Sequence, residues 1–433
     1  MKRRYTLGLY LTGAVTARTG DDMSGPALLL AGFALSGSAT DASTLLAAIT
    51  VAAVVGGPVL GALLDRAERP GRLLSVALVL YAAGLTGVLV GLGRLPFGAT
   101  VLVAVLTGLL GPALSGGWTA QLPRVVSHQR LPRANALDAM TYGSAGLVGP
   151  ALAGGVAEVA GAPAAVVVSA ALVAVAVPAA WVLPGRGALG ETGSSGVAGS
   201  GEGRGPSGVG GADEGRGPSG VGGADEGRGS SGVGGAGEGR GVYVVGGLVA
   251  GARLIVTNRR LARATVSSVV SCAAQGMLMA CLPLLGAQVL GGAGRGALLL
   301  SCTAVSALSA NAVLARRPYD VAPETVIRAG ALLQAAASAL AATGRPVTVV
   351  MAALLAGVGE GPQLAALLAV RHREAPEHLR GQVCTTGASA KITGFALGAA
   401  AAGPLGVWSL PGALLSAAAL QVVAARAVGR SET

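Results

Sequence analysis

Charge is scarce in this 433-residue sequence. Asp, Glu, Lys and Arg together make up 12% of it, about half the share of an ordinary soluble protein. A soluble globule of this size needs far more polar surface, so that class is excluded. Aromatics are only 3%, too few for the stacking platforms that grip single-stranded nucleic acid. The histidines are His128, His372 and His378. All are placed in loops between apolar runs, and no two sit at metal-ligand spacing on one membrane helix. The cysteines, Cys272, Cys281, Cys302 and Cys384, form no CxxC and read as free thiols packed like small hydrophobes. No Walker GxxxxGK[ST], nucleophile elbow or paired-carboxylate site stands out. No metal, no cofactor and no enzymatic activity is expected.

What the chain has instead is oil. Hydrophobic residues make up 52%, beside 72 glycines, and mean hydropathy is +0.65. Apolar runs of about 20 residues recur, long enough to cross a bilayer as helices. A β-barrel would show alternating segments of about 10 residues, and none is seen. The runs predict spans at 7–34, 43–63, 73–92, 98–119, 136–158 and 163–183, then 264–290, 296–315, 325–343, 347–369, 382–402 and 406–425. The opening MKRRYTLGLYL resembles a signal peptide, but no A-x-A-like site closes a short apolar core. It is read as an uncleaved first helix. The predicted fold is an all-α membrane protein of twelve transmembrane helices in two six-helix bundles, residues 1–183 and 244–433.

Between the bundles, residues 184–243 form a Gly-rich linker. From Gly203 the unit GRGPSGVGGADE repeats with a period of twelve, placing Arg204, Arg216, Arg228 and Arg240 in register. Each unit offers one Val as its only sizeable apolar residue, too little to bury a core. Such a sequence is expected to be disordered, a flexible tether spanning roughly 40 Å.

The net charge of +11 resides in short loops rather than on one helix face. That argues for a topology signal and against a nucleic-acid partner. With the N-terminus inside, 25 of the 31 basic residues fall on the cytoplasmic side and only Arg94, Arg295 and Arg345 on the other. The positive-inside rule then predicts both termini in the cytoplasm. Trp118, Trp181 and Trp408 fall at span ends, where indoles prefer to lie.

Between spans 2 and 3 the chain reads Gly61-Ala-Leu-Leu-Asp65-Arg66-Ala-Glu68-Arg69-Pro-Gly71-Arg72. This resembles the major facilitator superfamily motif G-x-x-x-D-R-x-G-R-[RK] in the same loop. Glu68 replaces the family's Gly, and a Gly-Arg pair reappears at Gly71-Arg72. Gly61 lets a neighbouring helix come close. Asp65 can pair with a loop arginine or face the positive N-terminal end of another helix. The resemblance implies a conformational latch at Gly61, Asp65, Arg66, Arg69 and Arg72 that closes the cytoplasmic side in the outward-open state. Span 5 carries Gly143, Gly146, Gly149-Pro150 and Gly154-Gly155, similar to the family's antiporter motif but one residue longer after Gly-Pro. Small residues there imply tight helix packing at Gly146, Gly149 and Gly154, with a bend at Pro150. The loops Arg130-Leu-Pro-Arg133-Ala-Asn135 and Glu377-His-Leu-Arg380-Gly381-Gln382 occupy matching places in the halves, as in bacterial exporters of the macrolide-efflux type.

A charge in hydrocarbon must be paired or face a wet cavity. Span 1 holds Arg18, Asp21 and Asp22, with Arg18 three and four residues before the acids and able to reach either. Glu360 lies in span 10 and Lys391 in span 11. Three acids against two bases leave one carboxyl over, and burial disfavours a lone carboxylate. Such a group suits a proton carrier. Asp22 or Glu360 is expected to carry the proton, with Arg18 and Lys391 as partners. The resemblance puts spans 1, 4, 7 and 10 around the central cavity, which adds Gln275 and Gln363, with Met277 and Met279 nearby. Gln334 and Asn311 are read as interhelical hydrogen-bonding groups. Span 4 lacks the arginine that many proton antiporters of this superfamily carry there.

The reading is a monomeric secondary transporter of the cytoplasmic membrane. It exports a small molecule, a drug or secondary metabolite, by alternating access coupled to protons. Its partners are the lipid bilayer, the substrate and protons. A proton-coupled uptake symporter of the same fold, or a non-transporting membrane sensor or scaffold, are the alternatives.

Overall fold

The computed structural model describes residues 7–185, 250–290, 295–316 and 321–429. The predicted Gly-rich linker lies outside these but for Pro184 and Gly185. Among the described residues there is no strand. The helices are α1 (Leu7–Ser36), α2 (Ala39–Arg66), α3 (Pro70–Gly91), α4 (Phe97–Gly108), α5 (Leu131–Ala160) and α6 (Ala162–Trp181). After a helical stretch at 250–257 follow α7 (Arg259–Val289), α8 (Arg295–Arg316), α9 (Pro323–Ala341), α10 (Pro346–Glu374), α11 (Arg380–Trp408) and α12 (Leu410–Ala427).

Eight of these are long and apolar enough to cross a membrane, by length and composition. They are α2, α3, the α4 region, α6, α7, α8, α10 and α12. The others are shorter in apolar run or interrupted by charge: α1, for example, is 30 residues long but carries Arg18, Asp21 and Asp22.

Starts and stops follow local chemistry. Pro sits in the first helical positions of α3, α5, α6, α9, α10 and α12, where its missing N–H is no loss. Asn258 caps α7 by accepting from the amides of Arg260 and Leu261. Gly161, at φ 87°, closes α5 and opens α6; only glycine adopts that backbone freely. After α4, Pro112 leads into a π turn at Ala113–Gly117, a widened stretch common at functional sites.

Helices α1–α6 bury one core, in which Tyr10, Leu74, Leu78, Leu85 and Trp118 are fully enclosed. In the second half, one cluster gathers Met277, Leu282, Leu285 and Leu414, and another Leu261, Ile327, Leu367 and Val370. Trp118 was predicted at the lipid interface. Instead it is buried at 0% exposure, its ring 6.0 Å from that of Tyr10 and seated against Gly13. Met277 and Met279 likewise belong to the apolar core of the second half. Trp181 and Trp408 are exposed, at 52% and 87%.

The halves meet where α2 lies along α11 and where α5 meets α8 and α10. Ion pairs fix which ends lie together: Arg124 to Glu377, Arg260 to Glu374, and Arg373 to Glu324 and Glu374. The start of α7, the start of α9, the end of α10 and the segment after α4 therefore share one end of the bundle. It is referred to below as the arginine-rich end.

Candidate functional site

The seam between the halves is built from small residues at four-residue spacing. Ala53, Gly57, Gly61 and Asp65 form one stripe on α2. Gly381, Thr385 and Ser389 form the facing stripe on α11. The hydroxyl of Thr385 donates to the Gly57 carbonyl at 2.6 Å, and that of Ser389 to the Ala53 carbonyl at 2.7 Å. A Cβ on Gly61 would stand 2.7 Å from the Gln382 nitrogen, so only glycine admits this approach. Gly116, in the π turn, meets the backbone of Cys384 and Thr385.

Asp65 closes the stripe. Its two carboxylate oxygens accept from the amides of Gly381 at 2.6 Å and Gln382 at 2.8 Å. These are first-turn amides of α11, left without intrahelical acceptors. The positive helix terminus favours the carboxylate. Of the two partners the sequence allowed for Asp65, the helix end is therefore occupied. Arg66, Arg69 and Arg72 are exposed, and Arg72 lies over the Trp181 ring at 5.1 Å.

His372, predicted in a loop, is in α10 and 5% exposed. The helix runs to Glu374, past the predicted end at 369, because Arg371 and His372 of its last turns pack inside the protein rather than in a solvated loop. The ring bridges the halves: Nδ1 meets Asn135 Oδ1 at 2.9 Å and Nε2 meets the Thr119 carbonyl at 3.1 Å.

Arg18 does not serve Asp21 or Asp22. It forms a buried ion pair with Asp138 of α5 at 2.9 Å, the two residues 2% and 0% exposed. Thr119 donates to Asp138 Oδ2 and accepts from Arg18, each at 2.8 Å. Tyr10 donates to Asp138 at 3.0 Å, Thr141 accepts from Arg18, and the guanidinium lies 3.7 Å over the Tyr142 ring. Asp138 was missed, though it stood two residues inside predicted span 5. A buried arginine finds its acid across helices as readily as along its own, so the in-helix spacing was the wrong guide.

With Arg18 committed elsewhere, the two acids of α1 differ. Asp21 accepts a 2.6 Å bond from Tyr81. Asp22 is exposed and makes no hydrogen bond or ion pair among the described residues. Gly149 packs on the Asp22–Met23 backbone, and Gly146 faces the Asp22 carboxylate across 3.9 Å, measured from a Cβ built on it. Gly143 on the same helix meets Leu308 of α8, so Asp22 opens beside the seam. Of the span-5 motif, Gly149 is a tight contact. Gly154, predicted to pack, has nothing within 4 Å.

In the second half, four glutamine side chains and one serine join helices. Gln275 donates to Gln334 at 2.8 Å, Gln334 to Gln363 at 2.6 Å, and Ser271 and Gln421 extend the chain. Gln421 was missed. Asn311, read as another such group, is buried with its Oδ1 unpartnered. Beside the network is a cavity of about 30 Å³ holding Glu360, Lys391, Gln275, Gln363 and Cys272. Glu360 and Lys391 act on one another electrostatically there without closing to an ion pair.

The sequence from residue 10 to 402 matches the family described as Major Facilitator Superfamily. This chain belongs to the major facilitator superfamily. Its fold is that of a multi-pass membrane transporter rather than an enzyme. No curated protein matches it. Among solved structures it is similar to a human organic anion transporter, MFSD10 (TETRAN), at 15% identity and TM-score 0.68, over 99% of each chain. It is also similar to a bacterial homologue of the iron transporter ferroportin, in its outward-facing state, at 14% identity and TM-score 0.67, over 98% of each chain. The proton:xylose symporter XylE matches at 11% identity and TM-score 0.64, over 97% of this chain and 95% of its own. At such identities the likeness concerns the fold.

Proposed function

We propose that this facilitator is a proton-coupled exporter of a small molecule. In this reading twelve helices span the cytoplasmic membrane of a monomer, both termini lie inside, and the Gly-rich segment tethers two six-helix halves. One observation carries it: a seam sealed at the arginine-rich end coexists with an unpaired carboxylate, Asp22, open beside that seam. A carrier needs both. The seal gives alternating access, and a group free to change its protonation as access alternates couples the cycle to protons.

In this reading the latch is the Asp65–α11 junction, with Gly57 and Gly61 allowing the helices to close on one another. Glu360, beside Lys391, is the second proton candidate. Gln275 and Gln363 face the substrate route. Gly149 against Asp22 links the motif of α5 to the proton site and favours export over uptake.

The test compares drug susceptibility of cells with and without the gene, on a panel that includes macrolides. A rise in tolerated concentration of severalfold for some compound supports export. Enhanced accumulation of the compound with the gene present supports uptake and refutes the direction proposed. No change across the panel, with the protein present in the membrane, refutes drug export.

A further inference from the structure

Arg371 is the least expected residue of the second half. It lies in α10, 3% exposed, and its side chain makes no hydrogen bond or ion pair among the described residues. Its Nε and Nη2 are buried without a partner. The other buried arginine described above, Arg18, has an acid at 2.9 Å. A buried guanidinium without a counter-charge is strongly disfavoured, so a sequence keeps one where something else supplies the charge.

The surroundings are built to hold it. Gly387 of α11 has no side chain where a Cβ would collide with the guanidinium. Tyr142 of α5, and Cys272 and Cys384 of α7 and α11, lie within its electrostatic reach. Glu360, Leu364, Leu367 and Arg371 are spaced by four, three and four residues, one face of a helix. The first three line the cavity, so Arg371 continues that wall toward the arginine-rich end. Lys391 on the same wall also acts on Cys272. Two cations and one acid leave the wall one positive charge in excess. Glu360 lies eleven residues along α10 from Arg371, about 16 Å, too far to neutralise it.

We propose that Arg371 is the binding site for the acidic group of the transported molecule, a monovalent organic carboxylate. This rests on the transporter reading above and names its substrate class. The guanidinium presents two N–H donors in a fork that matches a carboxylate. Here the seam covers it. When the arginine-rich end opens, α5 leaves α10 and the guanidinium faces that side, where an exporter loads. The site therefore binds tightest in the state that loosening the Asp65 latch favours.

The experiment measures thermal unfolding of the detergent-solubilised full chain with benzoate, and with neutral benzamide as control. Benzoate is expected to raise the midpoint by about 2 °C or more at saturation, and benzamide to leave it unchanged. Asp65→Asn is expected to bind benzoate several times more tightly. Arg371→Gln is expected to abolish the benzoate shift while keeping or raising the ligand-free midpoint, since an unpaired buried charge is removed. Arg371→Lys is expected to retain part of the shift. Equal shifts for benzoate and benzamide, an undiminished shift in Arg371→Gln, or no shift in either latch state would overturn the proposal. The assay needs neither gradient nor flux. A chain that binds benzoate yet moves nothing keeps the site and loses the transport reading; the reverse outcome does the opposite.

Discussion

The carboxylate of Asp65 accepts a 2.6 Å hydrogen bond from the amide of Gly381, 316 residues further along the chain. The bond joins the end of α2 to the first turn of α11. With the Gln382 amide it makes two charge-assisted bonds, each contributing about 1.5–3 kcal/mol. Asp65→Asn keeps the shape and loses the charge. The sealed state is expected to lose tenfold or more in population, about 1.4 kcal/mol. Cys384, 1% exposed at the seam, reports this directly. With the other cysteines replaced, its alkylation by a maleimide is expected to speed up by a similar factor.

Gly61 and Gly154 are expected to differ sharply. A Cβ at Gly61 would stand 2.7 Å from the Gln382 nitrogen, whereas Gly154 has nothing within 4 Å. Gly61→Ala is expected to prop the seam open, expose Cys384 and abolish transport. Gly154→Ala is expected to leave both unchanged, and its alanine to favour the helix slightly. Equal effects of the two substitutions would show that the seam does not close as described.

Arg18 and Asp138 should behave as one unit. Removing either leaves the other as a buried unpaired charge, a loss of about 3–5 kcal/mol. Arg18→Met and Asp138→Leu together are expected to cost much less than the sum of the singles. A double-mutant cycle on thermal stability in detergent checks this. Additive losses would mean that the 2.9 Å pair is not formed in solution.

His372 links the halves through Asn135 and the Thr119 carbonyl, and the Thr119 hydroxyl meets the Arg18–Asp138 pair. His372→Ala leaves both partners buried without it, at about 1–3 kcal/mol each. Faster Cys384 alkylation is again expected, with the benzoate shift retained rather than abolished as in Arg371→Gln.

The helices were legible in the sequence, because a run of apolar residues long enough to cross lipid has few other uses. Predicted span 2 at 43–63 became Ala39–Arg66, and span 12 at 406–425 became Leu410–Ala427. Ends were harder, since Arg371 and His372 looked like loop residues yet continue α10. The Gly61–Asp65 motif marked the α2 side of the seam. Its partner on α11 was not visible, because nothing in Gly381 or Gln382 advertises a free amide except the start of a helix. Gly57, Thr385 and Ser389 were missed, though their four-residue spacing was there to be read. The pairing of Arg18 failed for a different reason: side-chain partners in a bundle are chosen by packing between helices, and periodicity along one helix is silent about that.

Proton flux in reconstituted vesicles tests the central claim most directly. A gradient of a compound to which the gene confers resistance is imposed across vesicles carrying the full chain, and internal pH is followed with a trapped dye. The account expects the gradient to drive protons the opposite way, and Asp22→Asn or Glu360→Gln to abolish that movement. Unchanged proton movement in both variants would contradict it.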